Sequence, residues 1–477
     1  MARYALPVVA LIIAPLAFSQ ESTLEEVVIT SSFTHQVQGQ NESSVSVIPG
    51  TDITENFTQS LGEHLTTIAG VSSNNFGPAV GQPVIRGLSN NRVKVLQNNL
   101  VVRDVAGIGP DHPIDLDLGN IEQVEIVRGA AALLHSNGAS GGIINVVDNT
   151  IARSDIEEPL FTLSAEQQTG NEGEGFSTAF KRNIGGFNVS YSFTGFDAQD
   201  YEVPNGAVLH EGEEHDDHDE DHDDHDEDHD EHDEDHEEDM GTLANSDFET
   251  KAHRFGISKT GEWGFLGASY QDISYTYGIP FHGEHADHEE EGHEEGEAEL
   301  DMNQVTNTLD LRLVMPQSEN FNIVMGANFL SQNIENFGHE ELIPDSDMND
   351  FGIYGLGQVS IKNGQALVGV RYDSRSINSD MGSADFSNFN GSIGIRKDYE
   401  NSTLRFNLAS GYRAPNLVEL FADGVHHATN RYEIGSANLN AEKSFQTDLS
   451  LDFNYDDSSF SVDLFYNDIS DYIYLTP

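Results

Sequence analysis

Phe187-Asn188-Val189-Ser190-Tyr191-Ser192-Phe193 carries an apolar residue at every odd position and a polar one at every even position. Side chains along a β-strand point alternately to opposite faces, so a period of two gives one greasy face and one wet face. The pattern recurs in Leu309-Asp310-Leu311-Arg312-Leu313 and in Leu404-Arg405-Phe406-Asn407-Leu408. Soluble sandwiches alternate too. Here, however, the strand-like runs are often ten or more residues long, and short Gly/Asn turns alternate with long polar connections. That asymmetry belongs to outer-membrane barrels. Gly185-Gly186, Lys362-Asn363-Gly364 and Glu400-Asn401 read as periplasmic turns, and the stretch from about Arg413 to Glu442 as an extracellular loop. About thirteen such strands precede Pro477. A closed single-chain bacterial barrel has an even number of strands, so the expectation is a barrel incomplete at the C-terminal side. It would lack about nine strands if it is of the 22-stranded type with a plugged lumen.

The amino terminus reads as an export signal. Arg3 precedes an apolar run from Tyr4 to Leu16, and Ala17-Phe18-Ser19 offers small residues for cleavage before Gln20. The apolar run is shorter than the roughly 20 residues needed to span a bilayer as a helix. With no cysteine in the chain, disulfides and thiolate ligands are excluded, a lipoprotein anchor is disfavoured, and any metal site must use His, Asp, Glu, Met or water. The net charge of −60 argues against a nucleic-acid partner.

Much of that charge sits in two segments that interrupt strand-like sequence. His215, His218, His222, His225, His229, His232 and His236 recur at spacings of three and four, with every intervening position Asp or Glu. His282, His285, His288 and His293 lie in a second acidic patch. Imidazole suits Zn²⁺, Ni²⁺ and Cu²⁺, and carboxylates add oxygen ligands and negative potential. In a helix the spacing would align all seven rings of the first segment on one stripe. Without metal, its twenty-one carboxylates between Glu211 and Asp239 repel one another, so the expectation is disorder. A merely solvated acidic run is the bland alternative, but it has no reason to repeat histidine. Setting aside the thirty-one acidic residues of both segments leaves 51 against 22 Lys plus Arg, still about −29.

Residues 25–150 lack the two-residue period. Ser60 to Ala69 is helix-like, Arg92 to Leu96 and Val124 to Arg128 are strand-like, and Gly129-Ala130-Ala131-Ala132-Leu133-Leu134 runs into Gly138-Ala139-Ser140-Gly141-Gly142-Ile143-Ile144-Asn145-Val146. This reads as a small α/β globule. Ile85-Arg86-Gly87-Leu88 with Asn91-Arg92-Val93, then Ile121-Glu122-Gln123-Val124-Glu125-Ile126-Val127-Arg128-Gly129, then the glycine-rich stretch to Val146, resemble the plug of TonB-dependent receptors. Tyr412-Arg413-Ala414-Pro415-Asn416-Leu417 and Gly435-Ser436-Ala437-Asn438-Leu439-Asn440-Ala441-Glu442-Lys443-Ser444 resemble two barrel motifs of the same family, and the motifs occur in the family's order. The expected fold is therefore an all-β antiparallel transmembrane barrel of the 22-stranded type, incomplete at the C-terminus, with an N-terminal α/β plug domain in its lumen. The expected divisions are a signal peptide at 1–19, a TonB-box segment at 20–35, the plug at 36–150 and a partial barrel at 151–477, with His/Asp-rich extracellular loops at 208–240 and 281–301.

The resemblance implies active import across the outer membrane, with TonB and its inner-membrane energising complex as partners and outer-membrane lipid as surroundings. Glu26-Val27-Val28-Ile29-Thr30 looks like the TonB box; it is short and β-branched between polar stretches, which suits capture by strand addition. An ordinary first strand of the plug is the alternative. The His/acid loops resemble those of the zinc-uptake, ZnuD-like branch. In that branch an Asp-His pair of the plug faces the extracellular cavity as metal ligands, matched here by Asp111-His112 after Ile108-Gly109-Pro110. His426, in Gly424-Val425-His426-His427-Ala428-Thr429-Asn430, matches a barrel histidine that completes the site, and Glu341 of His339-Glu340-Glu341 is the candidate fourth ligand. Two imidazoles and two carboxylates suit tetrahedral Zn²⁺, here the transported ligand. The plainer alternative makes Asp111 a turn cap before Pro113 and lets His112 merely pack. In the import reading the loops gather zinc weakly and the discrete site then holds one ion, with affinity falling below about pH 6.5 as protons compete for imidazole.

Haem uptake is the main competitor, since haem receptors of this family share the Arg-Ala-Pro motif and place a histidine before an Asn-Leu motif. His426 or His427 could then be an axial ligand. Haem iron needs one or two histidines rather than the eleven interleaved with carboxylates, and Ser436-Ala437-Asn438-Leu439 departs from the haem pattern. A surface metal-binding protein without import is a further alternative. No nucleophile and base stand at motif spacing, so an enzyme is not expected.

Overall fold

A computed structural model describes residues 45–55, 60–103, 107, 109–129, 132, 138–204, 241–280, 302–315, 321–337, 342–426, 431–455 and 458–476. The expected signal peptide, the TonB box, Glu341, His427 and all the histidines of the two acidic segments lie outside the described residues.

The N-terminal unit is a mixed five-stranded sheet. Its strands β1 (Val45–Pro49), β4 (Val93–Gln97), β5 (Leu100–Val101), β6 (Ile121–Val127) and β7 (Gly142–Asp148) lie in the order β1-β6-β7-β4-β5, with β4 and β7 parallel. A separate hairpin joins β2 (Val71–Asn75) to β3 (Gly81–Ile85). Every residue of β7 is buried, as befits a central strand covered on both faces. Leu65, Ile85, Val124, Ile126, Ile144 and Val146 form the centre of its core. Helix α1 (Gly50–Glu55) follows β1 directly. The helix expected from Ser60 to Ala69 is shorter: α2 spans Leu61–His64, with Ser60 accepting from the Glu63 amide at its N-cap, and a 3₁₀ turn at Leu65–Thr67 ends it before Gly70, whose φ is +78°.

Beyond residue 150 the chain is a succession of long antiparallel strands. They are β8 (Leu160–Gln167), β9 (Glu174–Ile184), β10 (Phe187–Ala198), β13 (Phe248–Gly261), β14 (Gly264–Tyr277), β15 (Met302–Val314), β16 (Phe321–Asn336), β17 (Ser346–Ile361), β18 (Gly364–Ser379), β19 (Gly382–Asp398), β20 (Ser402–Arg413), β23 (Glu442–Tyr455) and β24 (Ser458–Ser470). Five form one sheet and eight another, thirteen among the described residues, as the alternation predicts. The short strands β11 (Tyr201–Glu202) and β12 (Thr242–Leu243) form a hairpin in the first long connection.

Which face is wet separates this wall from a soluble sandwich. Phe187 and Tyr191 point outward, 44% and 40% exposed, whereas Asn188, Ser190 and Ser192 are buried. Leu309, Leu311 and Leu313 are each more than half exposed, while Arg405 and Asn407 point inward and are buried. An apolar exterior over a polar interior is the pattern of strands solvated by lipid. The inward polar groups find partners: Ser190 Oγ donates to Thr150 O and Ser258 Oγ to Ala152 O, both at 2.6 Å, which fastens the chain entering the barrel to its wall. No described helix is long and apolar enough to cross a membrane.

Gly185 and Gly186, at φ +61° and +83°, close the β9–β10 hairpin as a two-residue turn, and Asn363 at φ +52° does the same between β17 and β18. The alternation of short and long connections fails at one place: Asp380-Met381 joins β18 to β19 in two residues at the end where long loops are expected. The Arg413–Glu442 stretch is more structured than a loop. It holds α3 (Leu417–Phe421), started by a capping box between Asn416 and Glu419, and the hairpin β21 (Asp423–His426) with β22 (Arg431–Ile434). The N-terminal unit is tied to the inner wall by Arg103–Asp350 at 3.2 Å, by Arg254–Asp117 at 3.4 Å and by Arg92 Nε to Glu442 Oε2 at 3.1 Å. It therefore sits against the wet face, as a plug.

Candidate metal centre

The loop that follows β5 carries Gly109-Pro110-Asp111-His112-Pro113 toward the hairpin β21–β22. Gln82 of β3 steadies it, its amide Nε2 donating to Gly109 O and His112 O at 2.9 Å each. Across the gap, the hairpin register sets Gly424 opposite Glu433 and His426 opposite Arg431.

Asp111 Oδ2 lies 3.0 Å from His426 Nε2 and 3.6 Å from His112 Nε2. One ligand atom from each of the three residues falls within 4.8 Å of the others. The two rings are nearly parallel, 17° apart with centroids 6.2 Å apart. Ligand atoms on a tetrahedral zinc stand roughly 3.3 Å apart at bond lengths near 2.0 Å, so an ion would need the ligand atoms to close by up to about 1.5 Å. Each imidazole is also held from behind. His112 Nδ1 shares a hydrogen bond with Tyr277 Oη at 3.0 Å, and His426 Nδ1 with Glu433 Oε1 at 3.1 Å. An orienting group on the far nitrogen is what keeps a ligating histidine in one tautomer.

Asp111 is fully buried, and among the described residues its Oδ1 has no hydrogen-bond partner. A lone buried carboxylate oxygen is costly, and a cation would satisfy it. Gly109 lets the two side chains meet: a Cβ there would lie 2.2 Å from Asp111 Oδ1 and 2.8 Å from His426 Cε1. Burial pushes the Asp111 carboxyl up, but the His426 hydrogen bond and the nearby imidazoles outweigh it and hold it below the ordinary value. The hydrogen bond to Asp111 raises His426 against the effect of burial, whereas burial lowers His112 despite Asp111. A site with an anionic Asp111 and one readily neutral imidazole is set up for a cation.

The structure brings Asp111, His112 and His426, the three residues singled out in the sequence, to one point, with the Asp111 carboxylate turned to the two imidazoles. Glu341 is outside the described residues, but its neighbour Leu342 accepts from the Asp423 amide at 3.3 Å, three residues before His426. Glu433, Tyr277, Gln82 and Gly109 were missed. Only Glu433 left a trace, as an acidic residue seven positions after His426, and its partner is decided by hairpin register.

Residues 38–143 match the TonB-dependent receptor plug domain, and residues 162–477 match the TonB-dependent receptor-like β-barrel. The chain belongs to the TonB-dependent receptor family. It is an outer-membrane β-barrel with many spanning strands and a plug, a receptor rather than an enzyme. Among curated relatives, the receptor is 27% identical over 203 residues to the vitamin B12 transporter BtuB of Vibrio vulnificus, and 28% identical over 142 residues to the hemin receptor of Yersinia pestis. These matches take 41% and 30% of this chain, and only 33% and 20% of the relatives' lengths. The FrpB iron transporter from Neisseria meningitidis superposes with a TM-score of 0.63 at 14% identity, covering 90% of this chain and 73% of FrpB. The copper transporter OprC gives 0.63 at 14% identity, over 89% and 72%. At such identity the likeness is one of fold.

Proposed function

We propose that this receptor imports a divalent transition-metal ion, zinc foremost, across the outer membrane under the drive of TonB. The observation that carries this reading is the Asp111/His112/His426 cluster, with its orphaned buried Oδ1 and its back-braced imidazoles. Two borderline nitrogen donors with a carboxylate suit Zn²⁺, and Cu²⁺ binds such donors more tightly, so selectivity rests on geometry. Glu341 is the proposed fourth ligand. The histidine-rich segments at 208–240 and 281–301 would raise the local metal concentration by field and by many exchangeable chelates. Glu26–Thr30 is the proposed segment that TonB captures. Two neighbours in fold are named as iron and copper transporters, which agrees with a metal cargo without specifying it.

The hemin-receptor match keeps haem as a competitor. His426 is poorly placed for it: the residue is 6% exposed and its Nε2 already faces Asp111 at 3.0 Å, leaving no open ring edge for a porphyrin iron.

The test is isothermal titration of the detergent-purified receptor with Zn²⁺ and, separately, with haem, repeated after deleting residues 210–239. Sub-micromolar zinc binding that survives the deletion and is lost in Asp111→Ala or His426→Ala is the expected result. Haem binding abolished by His426→Ala, with zinc confined to the deletable loop, would overturn it. Zinc-limited growth that is undiminished in Val28→Pro would instead sink the TonB-driven step.

A further inference from the structure

A groove of about 650 Å³ crosses the five strands β15 to β19. On each strand three consecutive residues line it, such as Phe329-Leu330-Ser331 on β16 and Asn349-Asp350-Phe351 on β17. The middle residues form one register row, Thr308↔Leu330↔Asp350↔Arg375↔Phe386. The next residues on the inner face, such as Gln332 and Asp373, do not line it. The groove therefore opens on the outer face of the wall, with the backbone of that row as its floor and the outward side chains on either side as its rims. Four inter-strand steps of about 4.8 Å make it about 19 Å long.

Its height in the membrane is marked by aromatic pairs. Phe329 and Phe351 form the lower rim with ring centroids 5.1 Å apart, and Tyr372 and Phe389, 4.7 Å apart, continue the line on the next two strands. Outward aromatic rings gird a barrel where hydrocarbon gives way to head groups. The groove lies near the start of β17, at the end opposite the short Lys362-Asn363 turn, so these head groups are those of the outer leaflet. Above the rings the lining turns polar: Asn349 supplies an amide, Ser331, Ser374, Ser376 and Ser387 supply hydroxyls, and Asp385 supplies the one outward charge. Among the described residues none of these side chains hydrogen-bonds within the protein. Arg375 adds no cation to the groove, since its guanidinium is turned inward to both Asp350 oxygens at 2.6 Å.

Hydroxyls, an amide and a lone carboxylate beside an aromatic rim suit a ligand that has many hydroxyls and a C–H face, and they disfavour a phosphate. Below the rim the same wall is thin. Gly355 and Gly357 face lipid further down β17, and a Cβ at either would meet nothing within 4 Å. Gly355 stands between Met325 and Val370 in the register, about 14 Å along the strand from Phe351. This leaves a lane for a hydrocarbon chain beneath the groove. From the outward groove, its cation-free polar lining and the lane below it, we infer that the wall holds a glycolipid of the outer leaflet, with its sugar head in the groove and an acyl chain over the glycines. The site rests on the barrel and is independent of the proposed metal cargo.

The experiment places the full-length receptor in phosphatidylethanolamine nanodiscs carrying equal small fractions of a diglucosyl diacylglycerol and of phosphatidylglycerol with the same acyl chains. Native mass spectrometry then reads which lipid stays on the released protein. The native receptor is expected to retain the glucosyl lipid about tenfold over phosphatidylglycerol. Ser374→Trp, which fills the groove from the lipid side, is expected to abolish that preference with thermal unfolding unchanged, and Gly355→Leu, which fills the lane, to reduce it. Should Ser374→Trp not be recovered, Asn349→Leu serves the same comparison. No preference in the native receptor, or an equal preference in the groove variants, overturns the site. Preferential retention of phosphatidylglycerol makes it an anion site and overturns it as well. Displacement of the glucosyl lipid by free maltose, with Gly355→Leu behaving as native, makes the ligand a soluble sugar and overturns the lipid.

Discussion

Glu433→Gln tests whether the group behind His426 belongs to the metal site. The substitution preserves shape and a hydrogen-bonding oxygen but removes a negative charge 3.1 Å from His426 Nδ1. Adding the width of the ring and a metal–nitrogen bond of about 2.0 Å puts that charge about 7 Å from a bound ion. Against a doubly charged ion the Coulomb attraction at that distance is about 5 kcal/mol at an effective dielectric of 20 and about 1 kcal/mol in bulk water. Both side chains are less than a tenth exposed, so the value falls between these limits. Outer partners of metal-bound histidines generally contribute 10–100-fold in affinity, or about 1.4–2.7 kcal/mol, which lies inside the bracket. The expected zinc Kd of Glu433→Gln is therefore about 30-fold weaker at pH 7.5, measured by competition with a fluorescent chelator. Removing the charge also weakens proton binding at His426, which Asp111 and Glu433 together raise. The defect should shrink toward pH 6, where protons compete more in the native protein than in the variant. A Kd within twofold of native at pH 7.5, or a defect that does not change with pH, would refute the argument.

Zinc affinity of the native protein should begin to fall with acidification above the ordinary histidine value, because His426 is raised and holds its proton longer. The same groups set the metal-free protein's stability: the His426 contribution is complete below its unfolded value and is lost as pH rises through the raised folded value. The Asp111 contribution is present above its unfolded value and is lost as pH falls through the lowered folded value. A thermal scan across pH 3–9 without and with zinc reads both, and zinc should stabilise most at the alkaline end. Gly109→Ala drives a methyl into Asp111 Oδ1 and His426 Cε1 and should weaken zinc binding at least tenfold while leaving the barrel's unfolding in urea unchanged. Leu309→Arg places a charge on the lipid face near mid-strand and should cost about 2–4 kcal/mol in folding into vesicles, whereas a charge is native at the next position, Asp310, on the other face.

The barrel wall was legible because each strand states its faces locally. Leu309, Leu311 and Leu313 need no distant partner to mark the lipid side, and Gly185-Gly186 and Lys362-Asn363 need none to turn the chain. The two-residue Asp380-Met381 turn was not legible, since neither residue takes the positive φ that marks a tight hairpin. The candidate metal centre was half legible. Asp111, His112 and His426 came from a resemblance, and nothing in the sequence between Asp111 and His426, 315 positions apart, says that they meet. Tyr277 and Glu433 depend on where β14 ends and how β21 pairs with β22, both properties of register.

The proposed ligands come from plug and barrel, and this has a measurable consequence. Asp111 and His112 belong to the plug, His426 and Glu433 to a barrel hairpin, and Tyr277 to the end of a barrel strand. An ion bound among them would add to a junction of plug and wall where Asp111 already meets His426, and His112 meets Tyr277, at 3.0 Å each. Saturation at 100 times Kd would add about 2.7 kcal/mol to any opening that breaks the site. Amide hydrogen exchange should then slow by about 100-fold in the peptide carrying Asp111 and, with the same zinc dependence, in the peptide carrying His426. Peptides of β17 and β18, away from the junction, should not respond. Protection confined to the plug peptide would mean that His426 is no ligand, and Asp111 and His112 would then hold the ion alone.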